Sequence, residues 1–304
     1  MIIGVDNGYT YTKTSTGIIF PSIVSRDESM DINEGRLEVE INGTRYLVGD
    51  SARLGEYTFA VDLNKVDHEN TMVCILTALA MSTQRNLEDY QIITGLPVSQ
   101  YGKQKEELRQ RILQQGLVGM QLNGQKKYIR ITQADVFPQS AAIFYAVKTS
   151  GESVLVIDIG GLTVDVSQFE AISGKYKLTR YQTYAQGTLK LYSQIIKRIN
   201  TEYDLDLKAL DAEGVIRNGL HIYGHRQKLG FIGELIGSYV SDLMCSLKLN
   251  FNLKTAGQVP LGGGGAILLE SYIKDHIPHA YLVPDAQFAN AKMFAEIGKV
   301  RFAA

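Results

Sequence analysis

Val154-Leu155-Val156-Ile157-Asp158-Ile159-Gly160-Gly161-Leu162-Thr163-Val164-Asp165 is the stretch whose reading decides the fold. Its first four residues are all apolar, the pattern of a strand covered on both faces. A carboxylate then appears at the strand's end, followed by two glycines and a run that turns back. A plain turn does not require a carboxylate at the end of a fully apolar strand. Asp165, seven residues after Asp158, reads either as a functional carboxylate or as an ordinary solvent-facing strand residue.

The same arrangement stands 152 residues earlier, where strand Ile2 to Val5 runs into Asp6-Asn7-Gly8-Tyr9. A hairpin glycine lets a ligand approach the backbone closely, and successive N–H groups at such a turn form an anion nest. The aspartate repels phosphate but suits a hydrated Mg²⁺, and Lys13 brings a positive charge. Downstream, Val259-Pro260-Leu261 runs into Gly262 to Gly265 and then a helix. That order suits backbone contact with a nucleotide beside a helix N-terminus. No Gly-Lys-Ser/Thr follows, so it is not a Walker A loop, and its spacing is not the dinucleotide fingerprint. Taken singly, an Asp-x-Gly is a common turn, and four glycines also describe a linker.

Length and composition agree with two folded domains. The chain has 304 residues, of which 45% are hydrophobic and 21% charged, which excludes a disordered chain. Glycine is in excess at 29 residues, against an average near 7%. A formal net charge of −1 gives no overall pull on nucleic acid, so direct binding is not expected. Cys74 and Cys245 are too few for a disulfide scaffold or a cysteine-rich metal site; both fall in apolar helices and read as buried, inert thiols. The start lacks a basic leader. The apolar run Val73 to Met81 is too short to cross a membrane. A cytoplasmic protein with no membrane partner is expected.

Hydrophobic periodicity gives a coarse element order. A β-meander covers Ile2 to Phe20, and Asn42-Gly43 joins strands Leu37 to Ile41 and Arg45 to Val48 as a hairpin. Thr71 to Ser82 is a buried helix, Gln91 to Thr94 a strand and Lys103 to Gln115 an exposed helix. A second hairpin turns at Asn123-Gly124, and a helix is expected over Gln139 to Val147. Thr149 to Glu152 marks a boundary. A second meander follows, then helices at Thr188 to Tyr203, Asp211 to Arg217, Gly230 to Leu249, Ala266 to Asp275 and Gln287 to Val300. His221 and His225 have metal-like spacing, but Gly224 intervenes and no third ligand is evident. Lys126-Lys127 reads as a solvated face.

Two Asp-x-Gly hairpins followed by a glycine-rich strand-to-helix turn resemble the phosphate-1, phosphate-2 and adenosine motifs of the actin/Hsp70/sugar-kinase superfamily. Within it the chain is most similar to the bacterial actin-like plasmid-segregation ATPases of the ParM/StbA type. The similarity rests on Gly4 to Tyr9, Thr94 to Ser99, Phe137 to Ala142 and Ile157 to Asp165. The resemblance implies an α/β, actin-like fold of two RNase H-like domains with ATP in the cleft between them. It implies domain I over 1–149 with an insertion at about 30–75, domain II over 150–286 with one at about 200–230, and a C-terminal helix over 287–304 returning to domain I. Asp6 and Asp158 would face Mg²⁺ through water. Gly8, Gly160, Gly161 and Thr163 would line the phosphates with Lys13 against them, and Asn7 and Tyr9 would belong to the same cofactor-binding loop. Gly263, Gly264 and Gly265 would back the adenosine. Gln139 falls where the family positions the attacking water, and an amide orients water without acting as a base.

The implied function is an ATPase that polymerises head to tail and moves plasmid DNA through a DNA-bound adaptor. The alternatives are a small-molecule kinase of the same superfamily, which needs a carboxylate base near its substrate hydroxyl, and a non-polymerising actin-like scaffold.

Overall fold

The computed structural model describes residues 1–26, 35–57 and 68–303. The chain divides into two compact units, one made of Met1–Lys148 with Val283–Ala304 and the other of Thr149–Leu282.

The first unit opens with β1 (Ile2–Asn7), β2 (Tyr11–Thr14), β3 (Ile19–Pro21) and β4 (Val24–Arg26), then β5 (Glu38–Ile41) and β6 (Thr44–Val48). Helix α1 (Glu69–Met81), β7 (Leu87–Leu96), α2 (Val98–Leu113), β8 (Leu117–Leu122) and β9 (Gln125–Pro138) follow. Nine described strands form one sheet in the order β3-β2-β1-β7-β9-β8-β5-β6-β4. The expected insertion at about 30–75 lies in part outside the described residues; its described part supplies β5 and β6. Asn42 and Asn123, each followed by glycine, take the left-handed conformation that a two-residue hairpin turn demands.

The second unit contains β10 (Ser153–Ile159), β11 (Val164–Ile172), β12 (Lys175–Tyr184), α3 (Thr188–Tyr203), α4 (Ala212–Asn218), β13 (His221–Ile222) and β14 (His225–Arg226). It continues with α5 (Phe231–Lys248), β15 (Val259–Gly262), α6 (Gly264–Lys274) and β16 (Ala280–Leu282). Its sheet runs β12-β11-β10-β15-β16, antiparallel for the first three strands and parallel for the rest. The segment β3-β2-β1-β7-β9 of the first sheet repeats that order and those directions. The two units are thus copies of one α/β plan.

Helix α7 (Ala289–Arg301) belongs to the first unit and packs on β1 and β7. Two bare backbone positions make room for it. A Cβ on Gly4 would lie 1.9 Å from Ala291 O, and one on Gly95 would lie 2.4 Å from Phe294 Cζ. The opposite sheet face, carrying Ile3, Val5, Tyr90, Ile92, Ile129 and Ile131, packs with the buried helix α1.

Three expectations are corrected. Gln139 to Val147 is not an α-helix: β9 runs to Pro138, a turn follows, and only Ile143–Ala146 is helical, as a 3-10 segment. Ser140 sits at φ 60°, where a helix cannot continue, and the Gln139 N–H is drawn to Leu96 O of the neighbouring strand at 2.8 Å. Lys127 does not lie on a solvated face. It is buried, and its ammonium donates to the carbonyls of Thr83 and Arg85 just beyond α1. Cys74 is buried, and burial pushes its thiol up to about 12, but Cys245 is exposed. Among the described residues no helix is long and apolar enough to cross a membrane.

Gly4→Ala should be strongly destabilising, because the added methyl meets main chain that a side-chain rotation cannot move. Overpacking of this kind costs about 3 kcal/mol. The denaturant midpoint, followed by circular dichroism, should fall accordingly; an unchanged midpoint would refute the close seat of α7.

Candidate functional site

In the first unit, β1 ends in the Asp6 turn, and the Gly8 N–H closes it on Tyr11 O at 3.0 Å. Cross-strand register sets Asp6 opposite Lys13. Their charges pair at 2.7 Å, with both side chains almost wholly covered. The second Asp6 oxygen, Oδ1, accepts a hydrogen bond from Gln139 Nε2 at 2.7 Å. A buried carboxylate is tolerated only when paired and hydrogen-bonded, and Asp6 has both partners. The sequence placed Asp6, Lys13 and Gln139 at one function, and the fold brings these three together.

Asn7 and Tyr9 point elsewhere. Alternation along the strand turns Asn7 to the opposite sheet face, where its Oδ1 accepts from Thr12 Oγ1 at 2.8 Å. Tyr9 is buried and, with Asn7, Gly8, Ser22, Asn70, Thr71 and Cys74, lines a cavity of about 10 Å³ at the start of α1. The Tyr9 phenol therefore belongs to the packing beneath the hairpin.

In the second unit β10 ends in the equivalent turn, and the Gly160 N–H closes it on Thr163 O at 2.9 Å. Asp158 stands opposite Asp165, and both are buried. Asp165 is not solvent-facing. It accepts from Thr163 Oγ1 at 3.0 Å and from Thr183 Oγ1 at 2.5 Å. Thr163 therefore supports a carboxylate as well as flanking the turn.

The loop is held from behind by the start of α3. The N–H groups of Gly187, Thr188 and Leu189 donate to the carbonyls of Leu162, Gly160 and Gly161 at 2.9, 3.0 and 2.8 Å. These are donors that a helix's first turn leaves without intrahelical partners. A Cβ on Gly187 would stand 2.2 Å from Gly161 O, so only glycine permits this contact. Gly263, at φ 83°, brings its backbone against the strand end: a Cβ there would be 2.6 Å from Asp158 Oδ1. Gly264 opens α6. Gly265 is required for packing, since its Cβ would meet Ile159 and Thr188 side chains, both at 2.6 Å.

Sequence reasoning missed Gly187, Thr183 and Phe294, and it read Gly95 only as part of the Thr94 to Ser99 motif. Gly187 carried a local signal, a glycine directly before a helix. Thr183, Gly95 and Phe294 act through contacts between distant segments, which no local pattern encodes. Among the described residues there is no cluster of three or more His, Cys, Asp or Glu side chains able to hold a metal ion by themselves, and His221 and His225 lie on a short hairpin.

Comparison with known proteins agrees with this architecture. Residues 4–141 match the family described as actin-like proteins, N-terminal domain. No curated protein sequence matches the chain. Among solved structures, a non-polymerisable quadruple mutant of pCBH ParM shares 21% identity, with 98% of this chain and 99% of that one covered and a TM-score of 0.82. The archaeal actin homologue Ta0583 shares 18% identity over 98% and 99% of the two chains, with a TM-score of 0.84; it has also been solved in complex with ADP. A 15-stranded ParM filament from Clostridium botulinum shares 19% identity over the same shares, also at 0.84. Residues 4–141 thus resemble the N-terminal domain of actin-like proteins, and the chain as a whole has the actin-like fold seen in the ParM structures.

Proposed function

We propose that the chain binds and hydrolyses ATP and assembles head to tail into filaments whose stability follows the bound nucleotide. The observation that carries the reading is the bond from Gln139 Nε2 to Asp6 Oδ1. An amide has one donor end and one acceptor end. With the donor end fixed on a carboxylate, the Gln139 oxygen is left to accept from a water and orient it for attack. A glutamine can do this without taking a proton, as nucleotide hydrolysis by positioning requires.

The surrounding groups suit the rest of the task. The hairpin tip at Gly8, with Lys13 beside it, would present backbone N–H groups to phosphate, and the tip at Gly160 offers the same kind of backbone nest in the second unit. The carboxylate at each turn also suits Mg²⁺. Asp6 and Asp158 are buried carboxylates at strand ends beside glycine turns, and Asp158 has a second carboxylate across the ladder. Such groups hold the ion through its water shell. When bound, Mg²⁺ neutralises charge on the β- and γ-phosphates.

The ADP complex of Ta0583 and the ParM filament support nucleotide binding and self-assembly as the reading for this fold. A head-to-tail contact does not close on itself and so yields a filament. Loss of the γ-phosphate can weaken that filament only by favouring a state with lower affinity for its neighbours. With a net charge of −1, plasmid DNA would be engaged through a DNA-bound adaptor rather than directly, in the cytoplasm.

Sedimentation tests the assembly. Purified protein should pellet with ATP and Mg²⁺ and not with ADP; absence of an ATP-dependent pellet at high protein concentration would overturn the filament reading. Asp158→Ala should abolish Mg²⁺-dependent ATP binding in equilibrium titration, and wild-type affinity would remove this loop from the site. Gln139→Ala should slow phosphate release by roughly 10²-fold, as loss of a polar catalytic donor does, while ATP-driven pelleting survives. Unchanged turnover would exclude Gln139 from the chemistry.

A further inference from the structure

The Gln139 amide has a floor as well as a partner. Gly4 pairs with Ile93 on the neighbouring strand, Ile93 pairs with Asp135, and Gly95 pairs with Phe137. By alternation, Gly4 and Asp6 of β1 share one sheet face with Ile93 and Gly95 of β7 and with Asp135 and Phe137 of β9. Gln139 continues that face one step further. Helix α7 lies on this face, and Phe294 is its fully buried anchor.

Phe294 spans both glycines. A Cβ on Gly4 would fall 2.9 Å from Phe294 Cβ. A Cβ on Gly95 would fall 2.4 Å from Phe294 Cζ and 3.0 Å from Gln139 Cγ. The ring and the glutamine stem therefore close on the same bare stretch of backbone, and the amide at the end of that stem bonds Asp6. Phe294 also packs with Ile93 and with Ala142 of the turn that carries Gln139. The far end of α7 holds the strand leading to that turn. Arg301 pairs with Asp135, and its guanidinium lies 5.2 Å from the centre of the Phe137 ring.

We propose that Phe294 is a positioning residue for Gln139, so that the seat of the C-terminal helix sets the rate of ATP cleavage. This rests on the hydrolytic reading of Gln139 given above. The amide is held at its tip by Asp6 and at its stem by the Gly95–Phe294 floor, and it can keep its aim only while both are in place. A misplacement of about 1 Å at a reacting group can cost 10²-fold in rate, and truncating the ring opens a gap of that order. Ground-state ATP binding draws on other groups, so affinity is preserved.

The test is single-turnover ATP hydrolysis by the full chain, with ATP affinity measured in parallel. Phe294→Leu should lower the cleavage rate about tenfold, within the range cited for such misplacement, while affinity stays within about twofold. Leu79→Ala, a core truncation on the opposite sheet face, serves as the control for lost stability and should leave the rate unchanged. Gly95→Ala should also slow cleavage, because its methyl collides with both ring and stem. In the double variant Gly95→Ala/Phe294→Leu the shorter side chain makes room for that methyl, so the rate should recover relative to Gly95→Ala alone. Such recovery is a coupling that general destabilisation does not produce. If Phe294→Leu cleaves at the wild-type rate while Gln139→Ala is slow, Phe294 has no positioning role and the hydrolytic reading stands. If Gln139→Ala itself cleaves at the wild-type rate, both fall.

Discussion

Contact between bare backbone and a neighbouring element is the constraint on which both units depend. In the first, Gly4 and Gly95 let α7 lie on the sheet so closely that any Cβ would overlap it. In the second, Gly187, Gly263 and Gly265 bring the starts of α3 and α6 onto the end of β10. Each unit therefore has a strand that ends in a carboxylate inside tightly packed surroundings. Interiors packed at crystal-like density transmit small displacements instead of absorbing them. The candidate site is thus continuous with the core, and its side chains take their aim from packing as well as from hydrogen bonds.

The duplication of plan does not extend to charge. The two turns share the same closure, Gly8 to Tyr11 and Gly160 to Thr163. Opposite the first carboxylate, however, stands Lys13, and opposite the second stands Asp165. A lysine in that register neutralises its aspartate. A second carboxylate in the same register calls for hydroxyl donors, and Thr163 and Thr183 provide them. One backbone plan thus supports two chemically different turns.

Much of this was legible in the sequence because it is written in short-range patterns. Apolar runs ending in Asp-x-Gly, the Asn-Gly turns and the glycine run before α6 all encode local geometry. What escaped is non-local. Lys127 follows a basic neighbour and looks like a surface residue, yet two carbonyls 42 and 44 residues away draw it inward. Cys245 sits in an apolar helix, but on its exposed side. Phe294 is one more apolar residue in a helical pattern; only the fold sets it against Gly95. Periodicity shows which face of an element is buried, but not what it is buried against.

The turn at Gln139 shows why a local preference was overridden. Gln139-Ser140-Ala141-Ala142 after Pro138 reads as a helix start, and a helix there would abandon strand alternation at Gln139. Instead the Gln139 N–H bonds to Leu96 O and carries the pairing one residue beyond β9. Period-two alternation then keeps Gln139 on the face of Asp135 and Phe137, which is also the face of Asp6. Ser140 ends the extension in a left-handed conformation at φ 60°, a strain of about 1–3 kcal/mol for a residue other than glycine. The surroundings hold that strain: Ser140 is fully buried, and Ala142 is packed beside Phe294. The strain, the ladder bond and the seat of α7 have one common result, which is to aim a single amide at Asp6.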